Sequence, residues 1–293
     1  MFRVACWTAN TRYALPLAPV SSAAPDTAAL LPPVTLTTDF GLRDAYVAAM
    51  KGAMLQVEPA LRLVDVTHEV DPQDVMGAAF LLRQALPFFP AGTVHLAVVD
   101  PGVGTDRRAL AASFGGHVFV GPDNGLLALL LDGAEPDAVV VLDRPAFWRT
   151  PAPARTFHGR DVFGPVAAHL AAGRALEEVG TPTDHFERLL WALPIADGEG
   201  IQGWVVHVDR FGNCVTNVPG ALVEEGGRRR QLKGYAGTAI IDGIHDTYGD
   251  VPPGEPVALV GSSGFLEIGV RDGDAAALLD LRKGSRVSLV YAD

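Results

Sequence analysis

The sequence predicts an α/β N-terminal domain with a mostly parallel sheet, followed by a smaller, mostly antiparallel β-domain. Up to about residue 190, β-branched runs alternate with stretches of helical spacing, which is typical of strand–helix–strand units. The run TVHLAVVD at 93–100 is almost continuously apolar, as in strands that helices cover on both faces. From about residue 200, short strands separated by glycine-rich turns dominate instead.

The elements of the α/β domain follow one another along the chain. Strands and helices are predicted in alternation over 34–39, 44–59, 61–66, 72–90 and 93–100. The helix over 72–90 is started by Pro72 and carries Asp74 in its first turn, where the helix dipole favours an anion. The sheet pattern continues through HVFVGPDNGLLALLL and AVVVLD, and a further helix is predicted over 159–173.

The β-domain is predicted from the runs QGWVVHVDRFGNCVTNV, GTAIID, EPVALVGSSGFLEIGV and SRVSLVYA. A linker near ALPIADGEG separates it from the α/β domain. The predicted organisation is a disordered N-terminal extension over 1–33, the α/β domain over 34–190 and the β-domain over 191–293. An extension is favoured over a signal peptide because arginine and proline residues interrupt any apolar core in this segment.

Composition narrows the possible partners. The 293 residues are 48% hydrophobic and carry a net charge of -11, which argues against a nucleic-acid-binding surface. Only Cys6 and Cys214 occur, too few for a disulfide framework or a thiolate zinc site, and a reducing cytoplasm fits that usage. No apolar run reaches the roughly 18 residues of a membrane span.

Polar residues follow three predicted strand or helix boundaries. Asp39 closes the first strand, Asp100 closes the strand over 93–100, and His158 with Arg160 precedes a helix. Ligands of parallel sheets bind at the carboxyl ends of the strands, so these loops are candidate functional loops. Taken singly, each residue is better explained as an ordinary cap or turn residue.

Several familiar chemistries do not fit these loops. The stretch DPGVGTDRR lacks the GK[ST] ending of a phosphate loop and the context of a dinucleotide fingerprint, and neither GxSxG nor HExxH occurs. A metal site stays open as an alternative, with five candidate ligands: Asp39, Asp44, Asp65, His68 and Asp100. Arg107 would compete with a cation for Asp100.

Read together, seven segments resemble a known family. They occur in order from Val34 to the C-terminus: TTDFGLRDAYVAAMKG, VDVTHEVDPQDV, FFPAGTVHLAVVDPGVGTDRR, VGPDNGLL, TFHGRDVFGPVAAHLA, VDRFGNCVTN and GSSGFLEI. The chain is similar to the S-adenosyl-L-methionine (SAM) hydrolases, or SAM hydroxide adenosyltransferases, which are related to the fluorinating and chlorinating enzymes. The resemblance implies hydrolysis of SAM to adenosine and L-methionine, without a metal or other cofactor.

The resemblance also implies a catalytic triad of Asp100, Arg107 and His158, which is the pattern of the hydroxide-using branch. Halogenases carry an aromatic residue in place of Asp100 and a residue with a hydroxyl group in place of Val103. Their FYS-type motif is replaced in this chain by FHG at 157–159. Two alternatives remain: a halide adenosyltransferase, disfavoured by the charge of Asp100, and a non-catalytic SAM or adenosine binder. A purely structural role is a further alternative for the triad residues: Asp100 and Arg107 would form an ion pair that stabilises the loop, and His158 would only precede the helix.

Substrate contacts are implied residue by residue. Asp39 matches the carboxylate that binds the ribose hydroxyls, a role that suits an acceptor-only group. Asp209 and Asn213 match positions that hold the ammonium and carboxylate end of methionine, and Ser262 matches a methionine-contacting serine.

The adenine contacts implied by the resemblance are Phe211, which packs on the ring, and the backbone of Val270. Both residues could instead belong to the β-domain core. Gln73 stands where halogenases carry a tryptophan over the sugar, which leaves that wall of the pocket in doubt. Because family members are trimers with sites between subunits, a homotrimer is expected here.

Overall fold

The computed structural model describes residues 30–190, 193–224 and 232–291. These residues form two sheets, each with its own core. The predicted extension over 1–33 lies almost entirely outside the described residues, except that the first strand already begins at Pro33. The predicted domain boundary at 190/191 also falls beside residues that are not described, so both boundaries stay predictions.

The N-terminal sheet has seven strands: β1 (Pro33–Thr38), β2 (Arg62–Thr67), β3 (Val94–Val98), β4 (Ala109–Phe114), β5 (His117–Pro122), β6 (Ala138–Val141) and β7 (Thr181–Pro182). Their order is β2-β1-β3-β5-β4-β6-β7. The first four in that order are parallel, and β4, β6 and β7 are added antiparallel. The predicted mostly parallel sheet is confirmed, with an antiparallel flank.

Helices cover both faces of this sheet: α1 (Tyr46–Val57), α2 (Val75–Ala85), α3 (Leu126–Leu131), α4 (Gly164–Ala171) and α5 (Leu176–Val179). Successive residues of β3 point to opposite faces. Leu96 and Val98 belong to the core beneath α1 and α4, whereas Ala97 belongs to the core beneath α2 and α3. This double coverage explains why β3 is apolar without alternation.

Three predicted elements differ in the structure. The run LLALLL, predicted to continue the sheet, is helix α3, which follows Gly125 at φ 91°. The helix predicted from Pro72 begins at Val75, with Asp74 as its N-cap accepting from the Gly77 amide at 2.9 Å. The helix predicted over 159–173 begins as a π-helical turn, Gly159–Phe163, and becomes α-helical only at α4.

The C-terminal sheet is wholly antiparallel, which confirms the predicted β-domain. Its strands are β8 (Ile195–Ala196), β9 (Gly200–Val208), β10 (Cys214–Pro219), β11 (Leu232–Ala236), β12 (Ala239–Asp242), β13 (Pro256–Val260), β14 (Phe265–Val270) and β15 (Arg286–Tyr291). Two short helices, α6 (Gly220–Glu224) and α7 (Ala275–Leu278), accompany them. The strand order is β12-β11-β15-β9-β10-β14-β13, with β8 beside β9.

Helix α2 joins the two halves of the chain. The Phe80 ring lies 5.4 Å from the His207 ring and 6.3 Å from the Phe265 ring, measured between centroids. Lys283 forms an ion pair with Asp74 at the start of the same helix. Apolar and ionic contacts therefore fix the C-terminal sheet against one element of the N-terminal half. None of the helices described is long and apolar enough to cross a bilayer.

A buried histidine lies in the middle of the N-terminal sheet. His95 on β3 is fully buried, with its Nδ1 2.7 Å from Thr35 Oγ1 and its Nε2 3.2 Å from His117 Nδ1. Burial, assisted by the neighbouring His117, lowers the pKa of His95 from 6.5 to about 3. The folded protein therefore keeps this imidazole neutral where the unfolded chain binds a proton.

We expect His95 to make folding acid-sensitive. Between pH 6.5 and about 3 only the unfolded state protonates this ring. Its contribution to stability is thus complete above pH 6.5 and is lost as the pH falls, with a slope of at most about 1.4 kcal/mol per pH unit. Urea unfolding of the wild type and His95→Gln at several pH values measures this slope. An equally steep profile in the variant would contradict the assignment.

Candidate active site

Asp100 and Arg107 face each other across the loop that joins β3 to β4. Arg107 Nε donates to Asp100 Oδ1 and Oδ2 at 2.9 and 3.1 Å, and Arg107 Nη2 donates to Asp100 Oδ2. The two side chains are only 10% and 7% exposed. A buried ion pair needs good geometry to offset its desolvation, and two parallel N–H donors on one carboxylate provide it.

Glycines shape this loop. Gly104 has φ +78°, and a side chain there would place a Cβ 2.5 Å from the carbonyl oxygen of Arg155. At Gly102 a Cβ would lie 3.1 Å from Arg107 Cγ. The close approach of the loop to both arginines therefore requires residues without a side chain.

The same guanidinium holds His158. Arg107 Nη2 lies 2.9 Å from His158 Nδ1. A guanidinium can only donate, so Nδ1 is the acceptor and the ring proton of neutral His158 is on Nε2. That Nε2–H has no protein partner within the described part of the chain. The three residues predicted as a triad are thus in direct contact, in the order Asp100, Arg107, His158.

Burial and the charge of Arg107 hold the pKa of His158 below its ordinary value, although Asp100 and Asp161 act in the opposite direction. The Phe163 ring lies beneath the guanidinium, 5.1 Å from Arg107 Cζ. Phe163 is the last residue of the π-helical turn that His158 precedes. The turn therefore supports both the cation and the imidazole, and π-helical turns are frequent at functional sites.

Asp161 anchors this turn and was not anticipated from the sequence. Its buried carboxylate accepts from Arg160 Nε at 2.7 Å, from the Ala154 amide at 2.9 Å and from Arg149 Nε. Although burial raises its pKa, the hydrogen bonds from Arg160, Arg149 and Ala154 hold the pKa of Asp161 well below its usual range. The carboxylate stays charged, and it ties the segment before His158 to the segment after it.

Asp39 lies in the turn directly after β1. Its Oδ2 accepts from the backbone amide of Gln73 at 2.8 Å. Gln73 has φ 67°, a left-handed conformation uncommon for a residue with a side chain. The Asp39 carboxylate is therefore fixed by a backbone N–H and not by the side chain of Gln73.

Aromatic rings join the Asp39 turn to the His158 loop. Phe40, the neighbour of Asp39, lies 5.6 Å from Phe157, the neighbour of His158, and Tyr46 lies 5.3 Å from Phe157, between centroids. The structure thus brings the predicted ribose-binding carboxylate and the triad to one edge of the sheet. This is the edge where the parallel strands β1 and β3 end.

In the C-terminal half, Asp209 and Asn213 form one compact turn. Asp209 Oδ1 accepts from the amides of Phe211 and Asn213 at 2.8 and 2.9 Å, and Asn213 Nδ2 donates to Asp209 Oδ2 at 3.0 Å. The Phe211 side chain is 77% exposed at the tip of this turn. The alternative that Phe211 belongs to the β-domain core is therefore wrong.

The other two C-terminal candidates lie on β14 and its preceding turn. Ser262 is exposed in the turn, and the side chain of Val270 is buried in the C-terminal core at the end of the strand. The alternative that the Val270 side chain belongs to the β-domain core is correct, so only the backbone of Val270 is available to a ligand. No hydrogen bond, ion pair or ring contact of the described residues joins the triad to Asp209, Phe211 or Ser262.

A second carboxylate near Asp209 was missed from the sequence. Glu267 on β14 is buried, accepts from the Tyr248 hydroxyl, and has its pKa raised by burial and by Asp209. Asn213 Nδ2 lies 3.4 Å from that hydroxyl, which links the two carboxylates. A glutamate inside the apolar run FLEIGV was the signal that could have revealed it.

The five metal-ligand candidates do not form one cluster. Asp65 and His68 contact each other, but Asp65 is also paired with Lys51, and Asp100 is paired with Arg107. In the described ranges no three His, Cys, Asp or Glu side chains are grouped to hold a metal ion.

Comparison with known proteins matches both halves of the chain. The SAM hydroxide adenosyltransferase N-terminal domain matches residues 34–180, and the C-terminal domain of the same family matches residues 203–288. A (R)-S-adenosyl-L-methionine hydrolase of Thermus thermophilus is 44% identical over 270 residues, covering 88% of this chain and 99% of the relative. The enzyme of that name from Salinispora tropica is 41% identical over 261 residues, covering 87% and 97%.

A solved structure shows a similar fold. The crystal structure of an uncharacterized conserved protein from Thermotoga maritima superposes with a TM-score of 0.83 at 35% identity, covering 88% of this chain and 99% of the other. Fold, motif order and both domain matches agree. The chain belongs to the SAM hydroxide adenosyltransferase family.

Proposed function

We propose that this protein hydrolyses SAM to adenosine and L-methionine, with the oxygen nucleophile held by Asp100, Arg107 and His158. The observation that carries the proposal is the hydrogen bond from Arg107 Nη2 to His158 Nδ1, 2.9 Å long. It fixes the imidazole so that an Nε2–H donor beside a guanidinium is available to an oxygen atom. The names and identities of the hydrolase relatives support the same reaction.

The chemistry is a displacement at ribose C5′. The new C5′–O bond forms as the C5′–S bond breaks. The electron pair of the C5′–S bond stays on sulfur, so the sulfonium leaves as neutral methionine. The leaving group is already good, so the nucleophile is the obstacle. Water has a pKa of about 15.7, and ionising it at pH 7 costs roughly 12 kcal/mol. A site without a metal must offset that cost with hydrogen-bond donors and positive charge.

The tautomer of His158 defines its role in this proposal. With Nδ1 occupied by Arg107 and the proton on Nε2, the neutral ring donates to the nucleophile and cannot accept a proton from it there. The site thus stabilises hydroxide with donors instead of deprotonating water with a base. The lowered pKa of His158 supports this role, because the ring stays neutral around pH 7.

Halide transfer is the weaker alternative. Asp100 accepts from two N–H groups of Arg107, so much of the positive charge near the nucleophile is already neutralised. This charge balance affects halide and hydroxide alike. Hydroxide is favoured because its oxygen accepts directional hydrogen bonds more strongly and so relies less on charge.

The substrate contacts belong to the same proposal. Asp39 holds the ribose hydroxyls, Asp209 and Asn213 hold the methionine end together with Ser262, and Phe211 packs on adenine. The backbone of Val270 contacts the adenine edge. Two observations favour this set: the carboxylate of Asp39 is fixed beside the triad, and the Phe211 ring is 77% exposed and free to pack on a planar ligand.

A homotrimer with each site between two subunits completes the proposal. Its support is the family resemblance, together with the lack of any direct contact between the triad and Asp209 or Phe211 among the described residues of one chain.

The products decide between the reactions. Incubation of SAM with the protein and EDTA, followed by chromatography, should give equal amounts of adenosine and methionine, because no step needs a metal. Added chloride should leave the products unchanged. A 5′-halo-adenosine would establish the halide alternative, loss of activity with EDTA would indicate a metal, and unchanged SAM with measurable binding would indicate a non-catalytic binder.

Variants of His158 distinguish a donor from a base. His158→Ala and Arg107→Ala should each lower kcat by about 10² to 10³-fold while adenosine still binds, because donors to the nucleophile are lost. His158→Gln should keep more activity than His158→Ala, since its amide can accept from Arg107 and donate to the nucleophile.

The pH profile gives the matching test. A donor site that captures hydroxide predicts that kcat/KM rises with pH from 7 to 9. A histidine base with a lowered pKa predicts a plateau above pH 6.5 instead.

For the variants, near-normal turnover in both His158→Ala and Arg107→Ala would remove the triad from the mechanism.

The assembly is tested by sedimentation. The protein should sediment as a species with three times the 30.9 kDa mass of one chain. Phe211→Ala should weaken adenosine binding without changing that mass if the ring packs on the ligand. An active monomer would contradict the shared site.

A further inference from the structure

We propose that His68 is a positioning residue: held between Asp65 and Thr38, it fixes the turn that carries Asp39. The inference rests on the proposed function only in assigning the ribose to Asp39. The residues concerned lie at the carboxyl ends of β1 and β2, where the two strands pair in parallel.

A chain of polar contacts runs from the surface to the start of this turn. Lys51 Nζ lies 2.7 Å from Asp65 Oδ2, His68 Nε2 lies 3.1 Å from Asp65 Oδ1, and His68 Nδ1 lies 2.8 Å from Thr38 Oγ1. His68 is 3% exposed and Thr38 is fully buried. Because buried polar groups are costly unless paired, the contact between Thr38 and His68 is specified by the fold.

Thr38 Oγ1 lies between two nitrogen atoms. The Phe40 amide donates to it at 3.3 Å, and it shares a hydrogen bond of 2.8 Å with His68 Nδ1. On the other side of the ring, His68 Nε2 lies 3.1 Å from Asp65 Oδ1 without making a well-formed hydrogen bond. The chain of contacts thus passes from the Asp65 carboxylate through the His68 imidazole to the Thr38 hydroxyl, and Thr38 is the residue before Asp39.

Backbone contacts place both ends of the turn on the same segment. The Val70 amide donates to the Thr38 carbonyl at 3.3 Å, and the Gly41 amide donates to the His68 carbonyl at 2.7 Å. The Leu42 amide donates to Glu69 Oε1 at 3.1 Å. The strand pairing shifts by one residue between Leu36 and Thr37, a bulge that brings His68 level with Thr38.

The consequence concerns binding. A carboxylate that receives two ribose hydroxyls must be held to within about 0.5 Å, and only supporting contacts provide that precision. Asp39 itself is held by one backbone donor, the Gln73 amide. The remaining constraint on its position comes from the turn, to which the contact between His68 and Thr38 contributes directly before Asp39.

The chain contains a matched control on the same strand. Thr35 Oγ1 lies 2.7 Å from Nδ1 of the fully buried His95, which repeats the Thr38–His68 pair. Thr35 lies four residues before Asp39, about 13 Å away along the strand. Loss of its hydroxyl should disturb the core without reaching the turn.

The experiment compares Thr38→Val with Thr35→Val in the full chain. Both variants should lower Tm, because each leaves a buried imidazole nitrogen without its hydrogen-bond partner. Only Thr38→Val should speed hydrogen exchange of the amides at 40–42 and raise KM for SAM about 10-fold, with kcat changed less than 3-fold. His68→Asn, which keeps an acceptor near Nδ1, should retain more affinity than His68→Leu.

Two results have separate meanings. Suppose that Thr38→Val changes the exchange of amides 40–42 and the KM for SAM no more than Thr35→Val does. The positioning role is then wrong even though SAM is hydrolysed. If the wild type does not turn over SAM, the proposed function is wrong, and the exchange data alone decide whether His68 and Thr38 hold the turn.

Discussion

The contact of Asp100 with Arg107 is the constraint on which the candidate site depends. Both side chains are nearly buried, so neither charge is tolerable without the other. The carboxylate fixes the plane of the guanidinium, and that plane decides where Nη2 meets His158 and how the cation lies over Phe163. The loop glycine Gly102 lies against Arg107, the π-helical turn places Phe163 beneath the guanidinium, and the tautomer of His158 follows from the donor Arg107.

The sheet provides the second level of organisation. Parallel strands β1 and β3 end at one edge, which brings Asp39 and the loop of Asp100 together although 61 positions separate them. Helices on both faces make the floor of this edge rigid and apolar. Polar supports then fix the loops above it, through Asp161 on the His158 side and through His68 on the Asp39 side.

The C-terminal half follows a different logic. Asp209 uses one oxygen to close its own turn and the other to hold Asn213, while Glu267 and Tyr248 extend the network into the core. The turn therefore presents Phe211 on a rigid base at the surface. Helix α2 links this half to the first, since its start carries Asp74 against Lys283 and its middle carries Phe80 against His207. Gln73, the residue before Asp74, donates to Asp39, so the contact between the halves lies one residue from the proposed ribose site.

The sequence by itself determined the two-part architecture, the helical and strand periods, and the residue types at the strand ends, because these follow from local patterns. It did not decide that LLALLL is a helix, since a short apolar run fits a buried strand and a buried helix equally. It grouped Asp100, Arg107 and His158 as a triad only through the family resemblance, without the contacts between them, and it missed Asp161 and Glu267. Hydrogen-bond partners, burial and tautomers depend on groups far apart in the chain, so only the tertiary structure decided that Arg107 donates to His158 and that a neutral imidazole directs its Nε2–H outward.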